Sequence, residues 1–217
     1  MKILAVEFSS DQRSVAVAVD GKILATAAET ATRATHAFAL IEQALAEARL
    51  EREQIECLAL GLGPGSYTGI RSAIALAQGW QLARPIKLLG VASVECLAAE
   101  AQANGWFGKV NLVIDAQRNE LYLARYEISP EGYCEVGPLK LATLDEVRSQ
   151  SSAGEIIIGP GVNRWFSEGR ALFPSAASLG RLAASRADFL PGEKLEPIYL
   201  RETNFVKAPP LRVLPAG

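Results

Sequence analysis

The chain has 217 residues, a net charge of −2 and a pI near 5.6. Its apolar share of 49% and charged share of 21% suit a packed core, in one larger domain or two small ones, and exclude a disordered chain. No Lys/Arg block is present, only a mildly basic tail with Arg201, Lys207 and Arg212, so the balance argues against a protein that grips RNA or DNA unaided. From the N-terminus, KILAVEF (2–8) reads as a buried strand. RSVAVAV, Asp20-Gly21 and KILATAAE follow as a hairpin, because Asp-Gly supplies the positive φ angles of a tight turn. Residues 35–49 place Ala37, Ile41, Ala44, Leu45 and Ala48 at helical spacing. IECLALGLG is a short strand, residues 68–83 a helix and IKLLGV a further strand. SVECLAAEAQANG is a helix with Ser93 as N-cap and Gly105 just past its end. The order is βββαβαβα.

The pattern restarts near Gly108. VNLVID is an apolar strand ending in an acid, NELYLARYEIS its alternating hairpin partner and YCEVGPLKLAT a third strand. LDEVRSQ reads as a short helix, EIIIGPGV as a buried strand, SLGRLAASRADF as a helix and LEPIYLRE as a final edge segment. Each half opens with an apolar strand, an acid (Glu7, then Asp115), a polar turn and an alternating strand. The fold class read from this is α/β, two duplicated βββαβα-type subdomains, 1–107 and a smaller, irregular 108–217, facing each other across a cleft.

Three features bear on chemistry. The first is GLGPGSYTGIR, Gly61 to Arg71. No lysine lies between Glu51 and Pro85, so the stretch is not a P-loop. Against a dinucleotide fingerprint, Ser66 stands at the third glycine position and Pro64 lacks a backbone donor. The alternative is structural: Gly61, Gly63, Pro64, Gly65 and Gly69 shape a tight strand-to-helix turn. The helix that follows carries Ile70, Ala73, Ile74, Ala75, Leu76, Ala77, Trp80 and Leu82 around almost its whole circumference. Such a helix is buried all round. Its cover is either the rest of the chain, including the helix with Phe38, Leu40, Ile41 and Leu45, or a partner protein.

The second feature is His36, the single histidine. Leu40 stands one turn on, where a two-histidine metal site needs its second ligand. A Ser-His-Asp hydrolase and a Cys-His nucleophile are equally unsupported, and a lone histidine opening a helix reads as a surface or capping residue. Cys57, Cys96 and Cys134 form no CxxC and imply neither zinc nor a disulfide framework. The first residues are too short an apolar run for a signal peptide, and no run approaches a membrane span, so a reducing cytoplasmic setting is expected. The third feature is the pair Glu7 and Asp115. Facing carboxylates in the cleft could hold Mg²⁺ and nucleotide phosphates. Yet the turns after them, FSSDQRS and AQRNE, have no glycine for close backbone approach. The other reading is that both acids are satisfied by nearby backbone N–H groups.

KILAVEFSSDQRSVAV, GLGPGSYTGIRSAIALAQG, GVASVECLA, IDAQRNELYLARY and EPIYLR together resemble the bacterial TsaB (YeaZ) family, in the family's order and from Lys2 to Arg201. The resemblance implies the actin-like ATPase fold of sugar kinases and heat-shock ATPases. It implies a part in making threonylcarbamoyladenosine in tRNA, with the metal, nucleotide and transfer chemistry on the paralogue TsaD and this chain as its dimer partner. The ATPase TsaE docks on the pair, and tRNA is met only through the complex. No cofactor, catalytic residue or metal is then expected on this chain, and no membrane. The resemblance puts the dimer contact on helices 36–50 and 68–82, with His36, Phe38, Leu40, Ile41, Leu45, Ile70, Ile74, Ala77 and Trp80 as contact residues. The resemblance also implies that in some members the same patch forms homodimers. The family's usual Asp is Glu at position 7, which weakens a residual magnesium role for Glu7 and Asp115. Two competitors stand beside it: a stand-alone ATPase or small-molecule kinase using those acids, and a metallopeptidase, disfavoured by the single histidine.

Overall fold

A computed structural model of the chain describes residues 1–30, 36–151 and 154–201. Strand β1 (Lys2–Glu7) pairs antiparallel with β2 (Gln12–Val19), which turns at Asp20 and Gly21 into β3 (Lys22–Thr30). Both turn residues have positive φ, 50° and 81°, as a two-residue hairpin requires. On the other side of β1, β4 (Cys57–Gly61) and β5 (Lys87–Val91) add in parallel, giving the order β3-β2-β1-β4-β5. Parallel neighbours need crossovers, and these are α1 (Ala37–Ala48) and α2 (Tyr67–Ala83). Helix α3 (Ser93–Ala103) leads to the second sheet.

That sheet repeats the topology. β6 (Gly108–Asp115), β7 (Glu120–Ser129) and β8 (Gly132–Thr143) run antiparallel. After α4 (Leu144–Gln150), β9 (Ile156–Gly159) and the two-residue β10 (Arg170–Ala171) add in parallel beside β6. The order β10-β9-β6-β7-β8, read from its far edge, is the first sheet again. The last α-helix among the described residues is α5 (Ala176–Ala184).

The two-residue period of the strands divides the core. Leu4 and Val6 of β1 face α1 and α2, whereas Ile3 and Ala5 face Ala176, Leu179 and Ala183 of α5. The first sheet is therefore covered on both sides, and one cover comes from the far end of the sequence. Conversely, α3 turns Val94, Leu97, Ala98 and Ala101 onto Leu112, Ala124 and Tyr126 of the second sheet.

Several sequence expectations need correction. The segment 195–201 is not an edge strand: it belongs to neither sheet. Helix α5 ends at Ala184 rather than running to Phe189. Ser93 is not the N-cap of α3; Ala92 holds that position without a side-chain bond, and the Ser93 hydroxyl is turned elsewhere. Helix α1 begins at Ala37, and Thr35 lies outside the described residues.

Candidate functional site

The site region is where the carboxyl ends of β1 and β4 meet the starts of α2 and α3. Glu7, the last residue of β1, is fully buried. Its carboxylate accepts from the Ser9 backbone N–H at 2.7 Å and from the Ser93 hydroxyl at 3.4 Å. A Cβ on Gly61 would lie 1.9 Å from Glu7 Oε2, so the acid packs directly onto the β4 backbone. Burial pushes the Glu7 carboxyl above its ordinary value, against the opposing hydrogen bonds from Ser9 and Ser93. Asp115, at the end of β6, is half-buried and accepts from the Gln117 backbone N–H at 2.7 Å and from Gln117 Nε2 at 3.1 Å. The two acids thus occupy equivalent places, and each is satisfied by the backbone N–H two residues on. They share no partner. Among the described residues no group of three or more His, Cys, Asp or Glu side chains could hold a metal ion.

The glycine turn is filled by protein. A Cβ on Gly65 would come within 2.1 Å of the Ser9 carbonyl oxygen, and one on Gly69 within 2.0 Å of that of Phe8. Those residues are glycine because the β1–β2 turn lies on top of them. Gly63 takes a φ of +89°, and the Gly63–Pro64 bond is cis. The Ser66 N–H donates to Ser9 O and the Ser66 hydroxyl caps α2 by accepting from the Gly69 N–H. The Leu62 N–H donates to Val91 O and Gly63 O accepts from the Ser93 N–H. Backbone groups that would face a phosphate in a nucleotide loop here join strand, turn and helix.

His36 sits just before α1 and is exposed. Its backbone N–H donates to Glu29 Oε1 at 3.0 Å and its Nδ1 lies 2.9 Å from Glu29 Oε2. Burial raises the Glu29 carboxyl, and the His36 bonds outweigh it and hold the group below its ordinary value. Burial pushes the Cys57 thiol up to about 11 and Cys96 well above its ordinary value, which leaves both inert as nucleophiles.

The residues expected at a partner contact divide by exposure. Leu40, Ile41, Leu45, Ile70, Ile74 and Ala77 lie in the core beneath α1 and α2. They face the sheet and leave almost no surface for a partner, although the edge of Ile74 reaches a groove along α2. Phe38 is 72% exposed and Trp80 is half-buried. The outer face of α2 presents Arg71, Ser72, Ala75, Gly79 and Leu82, the last 90% exposed. A groove of about 550 Å³ runs along this helix, lined by Thr68, Arg71, Ile74, Gln78, Leu195 and Pro197 among others. Three residues are not marked as site residues by the sequence: Ser93, Tyr199, which stacks on Tyr67, and Arg201, which pairs with Glu120. Ser93 reads as a helix cap, and Tyr199 and Arg201 fall in a segment without periodicity.

A family model described as TsaD, tRNA N6-adenosine threonylcarbamoyltransferase, matches residues 27–158, more than half of the chain. The TsaB protein of Escherichia coli K12, described as a tRNA threonylcarbamoyladenosine biosynthesis protein, is 27% identical over 93% of this chain and 95% of its own length. YeaZ from Pseudomonas aeruginosa superposes with a TM-score of 0.79 at 25% identity, covering 92% of this chain and 99% of that one.

The chain belongs to the TsaB (YeaZ) family.

Its fold is accordingly the actin-like ATPase fold, with the two topologically repeated sheets as its two subdomains. In this TsaB-family chain the residues present do not fit a magnesium–nucleotide complex. Glu7 has no exposed oxygen to offer a cation, Asp115 is closed on Gln117, and the turn beside Glu7 is packed with glycine backbone. No helix among the described residues is long and apolar enough to cross a membrane.

Proposed function

We propose that this chain is the non-catalytic partner subunit of a cytoplasmic tRNA threonylcarbamoyladenosine-forming complex. It pairs with a TsaD-type paralogue that carries the transfer chemistry, with a TsaE-type ATPase docking on the pair and tRNA met only through the assembly. The observation that carries the reading is Glu7, buried against Gly61 and Ser93 where a nucleotide-handling member of the fold needs an accessible carboxylate. A subunit whose own cleft is packed shut contributes by its surface. That surface is the outer face of α1 and α2, with Phe38, Ala75 and Leu82 outward and Trp80 at its margin. Without a paralogue the same face serves a homodimer.

Reconstitution of the tRNA modification from purified components tests this. With the TsaD-type paralogue, the ATPase and the adenylate supply present, omission of this chain abolishes the product. Full-rate product without it overturns the proposal. Calorimetry of the isolated chain with Mg-ATP tests the competing ATPase or kinase reading: no binding at millimolar nucleotide is expected, and micromolar binding decides for the competitor.

A further inference from the structure

Three consecutive residues of the β6–β7 turn, Gln117, Arg118 and Asn119, have φ of 62°, 58° and 63°. This is the left-handed region, sterically unfavourable for any residue with a Cβ, and here all three are exposed and none is glycine. A run of this kind persists only where its surroundings over-determine it. Within the turn, the Ala116 N–H donates to Glu120 O at 3.0 Å and the Glu120 N–H to Gln117 O at 3.2 Å. The rest comes from the far end of the chain. Arg201 Nη2 donates to Ala116 O at 3.1 Å and to Gln117 O at 3.2 Å, and pairs with the Glu120 carboxylate.

The residues before Arg201 are fastened to the first sheet. The Leu190 N–H donates to Leu88 O at 2.9 Å, and Gly192 is gripped by Gln81 and Gln78 of α2 at 2.8 and 2.9 Å. Leu195 is buried in the core under α2. The Ile198 N–H donates to Leu62 O at 2.8 Å, at the glycine turn. The Tyr199 ring stacks on Tyr67 at 5.4 Å between centroids. A segment in neither sheet therefore holds the glycine turn of the first sheet through Ile198 and Tyr199. Two residues later it holds the left-handed turn of the second sheet.

We propose that residues 190–201 are a latch between the two sheets, with Arg201 as its catch. The guanidinium keeps the 117–119 turn in its left-handed form and ties it to the glycine turn. Removing it relaxes the turn and loosens the strap at Ile198. This device goes beyond the partner-subunit reading and does not depend on it.

Amide hydrogen exchange in the full chain, resolved by residue, tests the latch in Arg201→Ala and in Arg201→Lys. The lysine variant keeps the charge, but all three contacts come from the terminal Nη2, and a lysine ammonium stops about one bond short of that nitrogen. In both variants exchange at Glu120 and Ile198 is expected to rise at least tenfold, while amides of β1 and β4 stay within twofold of the parent. Parent-like exchange at Glu120 and Ile198 in both variants overturns the latch. So does a rise at Glu120 with Ile198 unchanged, which makes Arg201 a local clamp only. If the alanine variant does not fold, the lysine variant decides alone.

Discussion

Glu7 shows how burial sets the pH response of a strand-end carboxyl. Its hydrogen bonds come from Ser9 and Ser93, and burial raises its pKa above the ordinary 4.5. The sign of the pH effect follows. Below that ordinary value the carboxyl is protonated in both folded and unfolded chains and contributes no pH dependence. As pH rises through it, the unfolded chain releases the proton and the folded chain keeps it, so stability falls until the folded-state value is reached and is level above it. Glu7→Gln removes this slope. Denaturant midpoints of the variant and the parent, compared from pH 4 to pH 8, are expected to diverge in the variant's favour as pH rises; parallel profiles refute the buried-acid assignment. Gly65→Ala tests the turn beside it. Its Cβ would lie 2.1 Å from the Ser9 carbonyl oxygen, on a residue with φ of +151°, and a loss of roughly 1–3 kcal/mol in urea unfolding is expected. The turn's structural role was legible in the sequence, because missing phosphate-binding chemistry and four nearby glycines leave close packing as the reason for them. Glu7's burial was not legible. A strand-end acid has the same sequence signature whether it faces a cleft or the interior, and only the approach of Gly61 and Ser93 distinguishes them.

Helices α1 and α2 show how composition can misstate a surface. Residues 70–82 read as apolar all round because Ala75, Leu76, Ala77 and Leu82 count alongside Ile70 and Ile74. In the fold the large side chains Ile70 and Ile74 face the sheet, and the outer face is made mostly of Ser72, Ala75 and Gly79. An alanine side chain has little apolar area to hide, so its position in a pattern decides little: Ala73 and Ala77 are buried here and Ala75 is exposed. The exposed large apolar residues are Phe38 on α1 and Tyr67 and Leu82 on α2, and the proposed partner contact rests on Phe38 and Leu82. Substitution separates the two populations. Phe38→Asp and Leu82→Asp should change folding stability by no more than about 0.5 kcal/mol, as for exposed positions. Together they should abolish co-elution with the TsaD-type paralogue in size-exclusion chromatography. Ile41→Asp, at a fully buried position, should lower stability by about 3 kcal/mol or more and read as a folding defect in circular dichroism. Intact co-elution of the folded double variant counts against the outer face.

At the scale of the molecule, the two repeated sheets are interleaved rather than merely adjacent. Helix α5 follows the second sheet in sequence yet covers Ile3, Ala5, Ala16 and Ala18 of the first, and α3 follows the first sheet yet packs on the second. Further ties join these exchanged helices: the Ser175 and Ser178 hydroxyls donate to Glu100, and Arg186 pairs with Glu95. Neither sheet can lose its partner without exposing an apolar face, so the chain should unfold in one cooperative step. The tryptophans report on each side separately. Trp80 packs against the first-sheet core, and Trp106 against the second. In variants that keep only Trp80 or only Trp106, with Trp165 also replaced, fluorescence midpoints in urea are expected to coincide with each other and with far-UV circular dichroism. Gly180 supplies the perturbation: a Cβ there would already lie 3.3 Å from the Ala18 Cβ and 3.4 Å from the Ile23 Cδ1, so Gly180→Leu forces α5 off the first sheet. If the helices couple the sheets, this substitution lowers the Trp106 midpoint as much as the Trp80 midpoint, although position 180 lies against the first sheet. A shift confined to Trp80, or two separate transitions in the parent, means that the sheets are independent units and that α3 and α5 do not bind them into one.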